Sequence, residues 1–315
     1  MNIRRRISTA ALAGACGLGL LALSGCSGAT TGGSGGKLRV TASFYPMEFL
    51  ARQIGGDHVE VSNLTKPGVE PHDLELSPKQ TGQLGESGAI VYLKGLQPAV
   101  DEAVAQSGVK NIADAAAMTS LEKHGNEVDG HDHGHGHAAA GGDADPHIWL
   151  DPVKYAEVAK GVNAVLAKAD PAHKADFQKN TDALVKKLDG LNADFEKGLK
   201  DRASDTFLTT HAAFGYLAER YGLTEEAING LDPESEPSAH RIKTLHTVAE
   251  KHHVSTVFFE TLANPATAKA LAGDLHLKTD VLDPLEGITD ASRGKDYFGV
   301  MHANLTALRK ALGTK

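Results

Sequence analysis

Five histidines, His124, His131, His133, His135 and His137, are crowded into one stretch of Gly, Asp and Glu. Neutral imidazole is the commonest protein ligand for borderline-soft ions such as Zn2+, and a glycine-rich backbone lets several rings turn toward one ion without a preformed cage. The tract therefore suits capture of a transition metal better than core building, and it reads as an auxiliary, low-affinity metal loop over 123–142. Four further side chains stand at element boundaries. His72 lies in the turn Gly68-Val69-Glu70-Pro71-His72-Asp73, and His147 lies in Asp145-Pro146-His147-Ile148-Trp149-Leu150-Asp151-Pro152, a stiff loop between two prolines. His211 follows the run 206–210 at the start of a helix, and Asp283 follows the run 279–282 just before Pro284. Three imidazoles and one carboxylate form a closed tetrahedral sphere for Zn2+, with ligands at about 2.0–2.2 Å and no position left for water.

The elements that must position these residues follow from the pattern of the chain. Short β-branched runs at 38–41, 59–61, 89–93 and 109–113 alternate with amphipathic stretches at 47–54 and 77–84, which means α/β. Ser77-Pro78 marks a helix start, with Ser as the cap and Pro at the first helical position. A second set follows, with strands expected at 205–210, 255–259 and 278–282 and helices near 212–221, 237–252, 264–275 and 294–312. Between the sets, Leu184, Leu188, Leu191, Phe195 and Leu199 step by three and four residues, a single helical stripe over 170–202. The expected architecture is two lobes, each with a mainly parallel sheet flanked by helices, at 37–169 and 203–315, joined by one long rigid helix. In open α/β sheets the residues just beyond the carboxyl ends of strands line the ligand crevice, which is where His72, His147, His211 and Asp283 fall.

The N-terminal segment carries a different message. Three adjacent arginines precede an apolar run that ends in Leu23-Ser24-Gly25-Cys26, the pattern of an export signal over 1–25 with Cys26 as the lipidated residue. The run is shorter than the roughly 20 apolar residues a bilayer span needs. Residues 26–36, built from Ser, Gly, Ala and Thr, read as a flexible tether. Of the two cysteines in the chain, Cys16 falls inside the signal and Cys26 takes the lipid, so the mature fold relies on its core rather than on disulfides. The net charge is −8, and loss of Arg4, Arg5 and Arg6 with the signal makes it more negative, which argues against nucleic acid as a partner.

These motifs together bring a family into view. The chain resembles the solute-binding lipoproteins of bacterial zinc and manganese ABC importers, metal receptors with two lobes joined by a rigid helix. The resemblance rests on Pro71-His72-Asp73 followed by Leu76-Ser77-Pro78, on Asp145 through Pro152, on His211-Ala212-Ala213-Phe214-Gly215-Tyr216, on Glu234-Ser235-Glu236-Pro237-Ser238 and on Asp283-Pro284-Leu285. It implies His72 and His147 as ligands from the first lobe and His211 and Asp283 from the second, with Glu70 and Glu260 as extra or substitute oxygen ligands. Manganese receptors of this kind place a Glu where this chain has His211, and a third imidazole moves the preference from Mn2+ toward Zn2+.

The expected function is an extracytoplasmic receptor, lipid-anchored to the cell membrane and monomeric, that binds zinc and delivers it to an ABC permease without bond chemistry. The long helix should limit how far the lobes open. The competing readings are a manganese receptor, a zinc-buffering adhesin whose main site is the histidine tract, and a zinc hydrolase. Against the last, the chain has no His-Glu-x-x-His stretch, and its Gly32-Gly33-Ser34-Gly35-Gly36 string falls in the flexible tether rather than at the strand-to-helix elbow a hydrolase needs. His252-His253 reads as a helix-end cap, and Trp149, the only Trp, as a packing anchor.

Overall fold

Alternation of buried strands and amphipathic helices produces two parallel sheets in the computed structural model, which describes residues 36–124, 144–262 and 265–314. The first half contains β1 (Leu38–Ala42), α1 (Tyr45–Gly55), β2 (Val59–Asn63), α2 (Pro78–Gly85), β3 (Ala89–Tyr92), α3 (Pro98–Gln106) and β4 (Ile112–Asp114). Two long helices follow, α4 (Pro152–Ala169) and α5 (Lys174–Gly198). The second half contains β5 (Thr206–Thr209), α6 (Gly215–Tyr221), β6 (Thr224–Ala227), α7 (Ala239–Lys251), β7 (Thr256–Phe259), α8 (Ala266–Asp274), β8 (Lys278–Val281) and α9 (Tyr297–Leu312). The sheets run β2-β1-β3-β4 and β6-β5-β7-β8, with every pairing parallel. Parallel sheets need cover on both faces, and the helices supply it.

Helix starts are written in capping chemistry. The Ser77 hydroxyl accepts from the Gln80 amide while the Gln80 side chain reaches back to the Ser77 amide, with Pro78 in the first turn of α2. Asp151 caps α4 through Val153, Ser238 caps α7 through Arg241 and Asp296 caps α9 through Gly299.

The helical stripe expected over 170–202 is shorter at both ends. Residues 171–173 form a 3-10 turn, in which His173 Nδ1 meets Asp170 Oδ2 at 2.6 Å, and α5 begins after it. The helix ends at Gly198, and Asp201 then turns the chain with φ 54°. At 1.5 Å per residue its 25 residues span about 37 Å. Toward its start Asn180 donates to Ile54 O of α1 (3.0 Å), and further along Asn192 accepts from Tyr221 of α6 (3.1 Å), so α5 touches both halves. All five residues of the stripe are buried.

The two halves share one core. Phe49 of α1 stacks on Tyr155 of α4 and on Tyr297 of α9, with centroids 6.5 and 5.3 Å away, and meets Phe298 edge-on at 5.9 Å. Leucines, valines and aromatics of both sheets join the same buried cluster. Replacing Phe49 by Ala should cost about 3–5 kcal/mol, as for other buried Phe deletions. Because the core crosses from one half to the other, urea unfolding of this variant should remain a single transition by fluorescence and by circular dichroism. Two separated transitions would show that the halves fold independently.

Candidate metal centre

Each candidate imidazole reaches the centre of the molecule by a different route. The 64–77 connection after β2 carries His72 inward, with its backbone amide bonded to Glu70 Oε1 at 3.0 Å. His147 precedes a 3-10 turn over Ile148–Leu150 and is completely buried. His211 follows β5 and is also completely buried. The fourth member of the group is Glu286, in the turn after β8. One ligand atom from each of His72, His147, His211 and Glu286 lies within 4.8 Å of all the others.

Asp283, expected in that fourth position, is not part of the group, and its oxygens are otherwise engaged. Oδ1 accepts from the Leu285 amide at 2.8 Å and Oδ2 from Thr261 Oγ1 at 3.1 Å. Its backbone is clasped by the Asn304 side chain, at 3.0 Å on the amide and 2.7 Å on the carbonyl. Asp283 therefore shapes a turn of the kind that Asp-Pro favours, and it is Glu286, three residues on, that the turn delivers. Leu285 sits in the left-handed region at φ 61°, unusual for a buried branched residue, so the turn is conformationally costly and depends on these bonds.

Four of the six separations within the group are those of a coordination sphere. Glu286 Oε1 lies 3.2 Å from Nε2 of His72, 3.3 Å from Nε2 of His147 and 3.4 Å from Nε2 of His211, while the last two nitrogens are 3.4 Å apart. A tetrahedron with arms of about 2.0–2.1 Å has edges of about 3.3–3.4 Å. The other oxygen, Glu286 Oε2, is buried with no hydrogen-bond partner among the described residues. The donor set and its spacing therefore fit a small divalent cation.

A surrounding layer of carboxylates fixes the rings. Asp145 Oδ1 accepts from both the amide of His147 (2.9 Å) and its Nδ1–H (2.7 Å). Glu260 Oε1 accepts from His211 Nδ1–H at 2.7 Å and is also bonded by the Thr210 hydroxyl. With Nδ1 of both rings donating to these carboxylates, it is Nε2 of each that faces the common centre. Glu260, expected as a substitute ligand, thus orients His211. Glu70, the other substitute, accepts from the His72 amide, and burial together with the charge of Glu286 pushes its pKa up to about 8.

Charge in the group is tightly balanced. Burial alone would disfavour an ionised Glu286, but the hydrogen bonds from His147, His211 and His72 prevail and hold its carboxyl well below the usual range. Burial likewise opposes protonation of His147, yet Asp145 on one side and Glu286 on the other push its pKa up to about 9. Glu260 and Glu286 do the same for His211, well above the ordinary imidazole value. Asp145 stays low against its burial because His124 and His147 both donate to it.

The remaining expectations land elsewhere. His124 is pinned against α6, with Nδ1 2.8 Å from Asp145 Oδ2 and Nε2 3.1 Å from Glu219 Oε2. His131, His133, His135, His137 and Cys26 lie outside the described residues. Trp149 is fully buried, its indole N–H donating to Pro284 O at 2.7 Å and its ring 5.0 Å from Phe44. His252 is the C-cap of α7.

A chelating group held where the strand ends of two parallel sheets meet defines a two-lobed binding architecture, and comparison with known proteins identifies the family. Residues 40–311 match the family described as zinc-uptake complex component A, periplasmic, and the chain belongs to it. It is 34% identical over 305 residues to the high-affinity zinc uptake system protein ZnuA of Bacillus subtilis, covering 94% of this chain and 95% of that protein. It is 35% identical over 305 residues to the zinc-binding lipoprotein AdcA of Streptococcus pneumoniae, covering 95% of this chain but only 60% of that protein. The crystal structure of Zn(II)-bound AdcA from the same species is similar in fold, with a TM-score of 0.74 and 32% identity over 89% of this chain and 59% of that one.

The raised pKa of His147 makes the metal-free fold sensitive to alkali. A pKa of about 9 in the folded state against about 6.5 when unfolded gives a stabilisation complete below pH 6.5 and lost as pH rises through 9. Its ceiling is about 3 kcal/mol, at 1.36 kcal/mol per pKa unit. The thermal midpoint of metal-free protein should fall between pH 7 and 9, and His147→Gln should flatten that fall. A midpoint that rises over this interval would contradict the assigned charges.

Proposed function

We propose that the protein is an extracytoplasmic zinc receptor, held at the membrane by a lipid on Cys26, that takes one Zn2+ between His72, His147, His211 and Glu286 and hands it to an ABC permease. The observation that carries this reading is the convergence of four donor atoms within 4.8 Å of one another, four of whose six separations, at 3.2–3.4 Å, match the edges of a tetrahedron about a zinc-sized ion. Membership of a zinc-uptake family and similarity to zinc-binding relatives point the same way.

Three imidazoles favour Zn2+ over Mn2+, which prefers oxygen-rich sites. A single carboxylate among them keeps the net charge of the loaded site low. Full use of four protein ligands leaves no open position at which a hydrolase would activate water, so the arrangement suits binding and release rather than catalysis. The ion enters and leaves on the side of His72, the only member of the group whose side chain is partly exposed, at 11%. The histidine tract acts as an accessory, weaker site.

Zinc and manganese competition titrations on the mature chain test the assignment. Zinc should displace manganese from one tight site. Glu286→Gln should weaken zinc binding by about 100-fold or more, since it removes a charged ligand, whereas Asp283→Asn should cost about tenfold through the turn it supports. A larger loss from Asp283→Asn than from Glu286→Gln would return the fourth ligand to Asp283.

A further inference from the structure

His124, the one histidine of the tract among the described residues, is part of a built structure. His124 enters between the two halves beside Gly215, at the start of α6, and its ring meets Tyr216 edge-on with centroids 4.6 Å apart. A Cβ placed on Gly215 would lie 2.5 Å from Cβ and Cγ of His124, so only glycine at 215 admits the ring. Tyr216 ties the same corner together: its hydroxyl accepts from the Glu122 amide at 2.8 Å and donates to Asp145 O at 2.8 Å. The Asp145 amide in turn donates to Glu122 O at 2.9 Å. The chain just before the tract and the chain just after it are thus joined to each other and to α6.

At the centre of this corner the side chain of Asp145 is wholly buried and divided between two imidazoles. Its Oδ1 holds His147, and its Oδ2 is held by His124 Nδ1 at 2.8 Å. A carboxylate bonded through one oxygen alone can turn about its Cβ–Cγ bond, whereas one bonded through both is fixed in plane. The far nitrogen of His124 faces Glu219 of α6, which sets the ring from the opposite half of the molecule.

We propose that His124 is a positioning residue for the metal centre. By donating to the outer oxygen of Asp145 it locks the carboxylate that aims His147, and through Glu219 it ties that aim to the second half. The inference rests on the zinc-receptor reading. It separates His124 from the other tract histidines, with which composition groups it.

The test uses the mature chain with His124→Ala, His124→Asn and Gly215→Ala. Zinc affinity is measured by chelator competition, the visible spectrum of the Co2+-loaded site reports ligand geometry, and thermal midpoints without metal report packing. Loss of a group that orients a ligand typically costs 10–100-fold in metal affinity, and one further bond away the expected loss is about tenfold for His124→Ala and for Gly215→Ala, with a shifted Co2+ band in both. His124→Asn should recover most of the affinity and the native band, because its amide nitrogen can stand where Nδ1 stood. Wild-type affinity in His124→Ala would overturn the proposal, as would an Asn variant as weak as the Ala variant. If the parent chain itself takes up no tight zinc, the receptor reading fails and this inference with it, an outcome distinct from intact parent binding with an indifferent His124.

Discussion

A carboxylate with no exposed side-chain surface, Glu286, sits among three imidazoles, and that one buried charge organises the rest. An ionised group in the interior is tolerated only when opposite charge and hydrogen bonds surround it. Here each neighbouring nitrogen lies 3.2–3.4 Å away, and two of the rings are held from behind by carboxylates of their own. Protons on His147 and His211 balance this array without a metal; a divalent cation at the same point replaces them. Metal capture and proton release are therefore one event, and acid weakens capture.

The protein spends much of its hydrogen bonding on keeping one ligand-bearing segment in place. Residues 145–151 belong to the first half by sequence but are fastened to the second by side chains from several directions. Tyr216 holds Asp145 O, Tyr297 donates to Trp149 O at 2.7 Å, Trp149 donates to Pro284 O, and Arg220 forks onto the buried Asp151, Nη2 to Oδ2 at 2.6 Å and Nε to Oδ1 at 3.1 Å. Such bidentate Arg–carboxylate pairing adds direction as well as energy. His147 and Glu286 are thereby coupled through Trp149 and Pro284. His72, by contrast, stands on a connection with exposed neighbours, away from the core that the two halves share.

What could be read directly from the residues follows physical signals with few rivals. The leucine stripe of α5, the capping pair Ser77 and Gln80, and the β-branched runs each admit one regular structure, and all formed. The three histidines of the group were legible because His72 and His211 each follow a strand-like run and His147 lies in a stiff loop between two prolines. Glu286 was not, because an acid in an irregular turn carries no periodicity; the clue was chemical, since Asp-Pro tends to consume its own carboxylate in the turn and leaves the next acid free. β6 was missed for a related reason: Thr224–Ala227 carries two glutamates where a strand usually carries apolar residues. Those glutamates are paired inside, Glu225 with Thr209 at 2.7 Å and Glu226 with Arg241 at 2.9 Å, partners far off in sequence. The role of His124 was hidden by its company, because composition assigns it to the tract while tertiary contact assigns it to Asp145.

The most direct test of the account is a crystal structure of the zinc-loaded chain with anomalous scattering recorded at the zinc edge. The account predicts one strong central peak at about 2.0–2.2 Å from Nε2 of His72, His147 and His211 and from the Glu286 carboxylate, with no coordinated water. A central zinc bound by Asp283 in place of Glu286, or one holding a water in place of an imidazole, would contradict it.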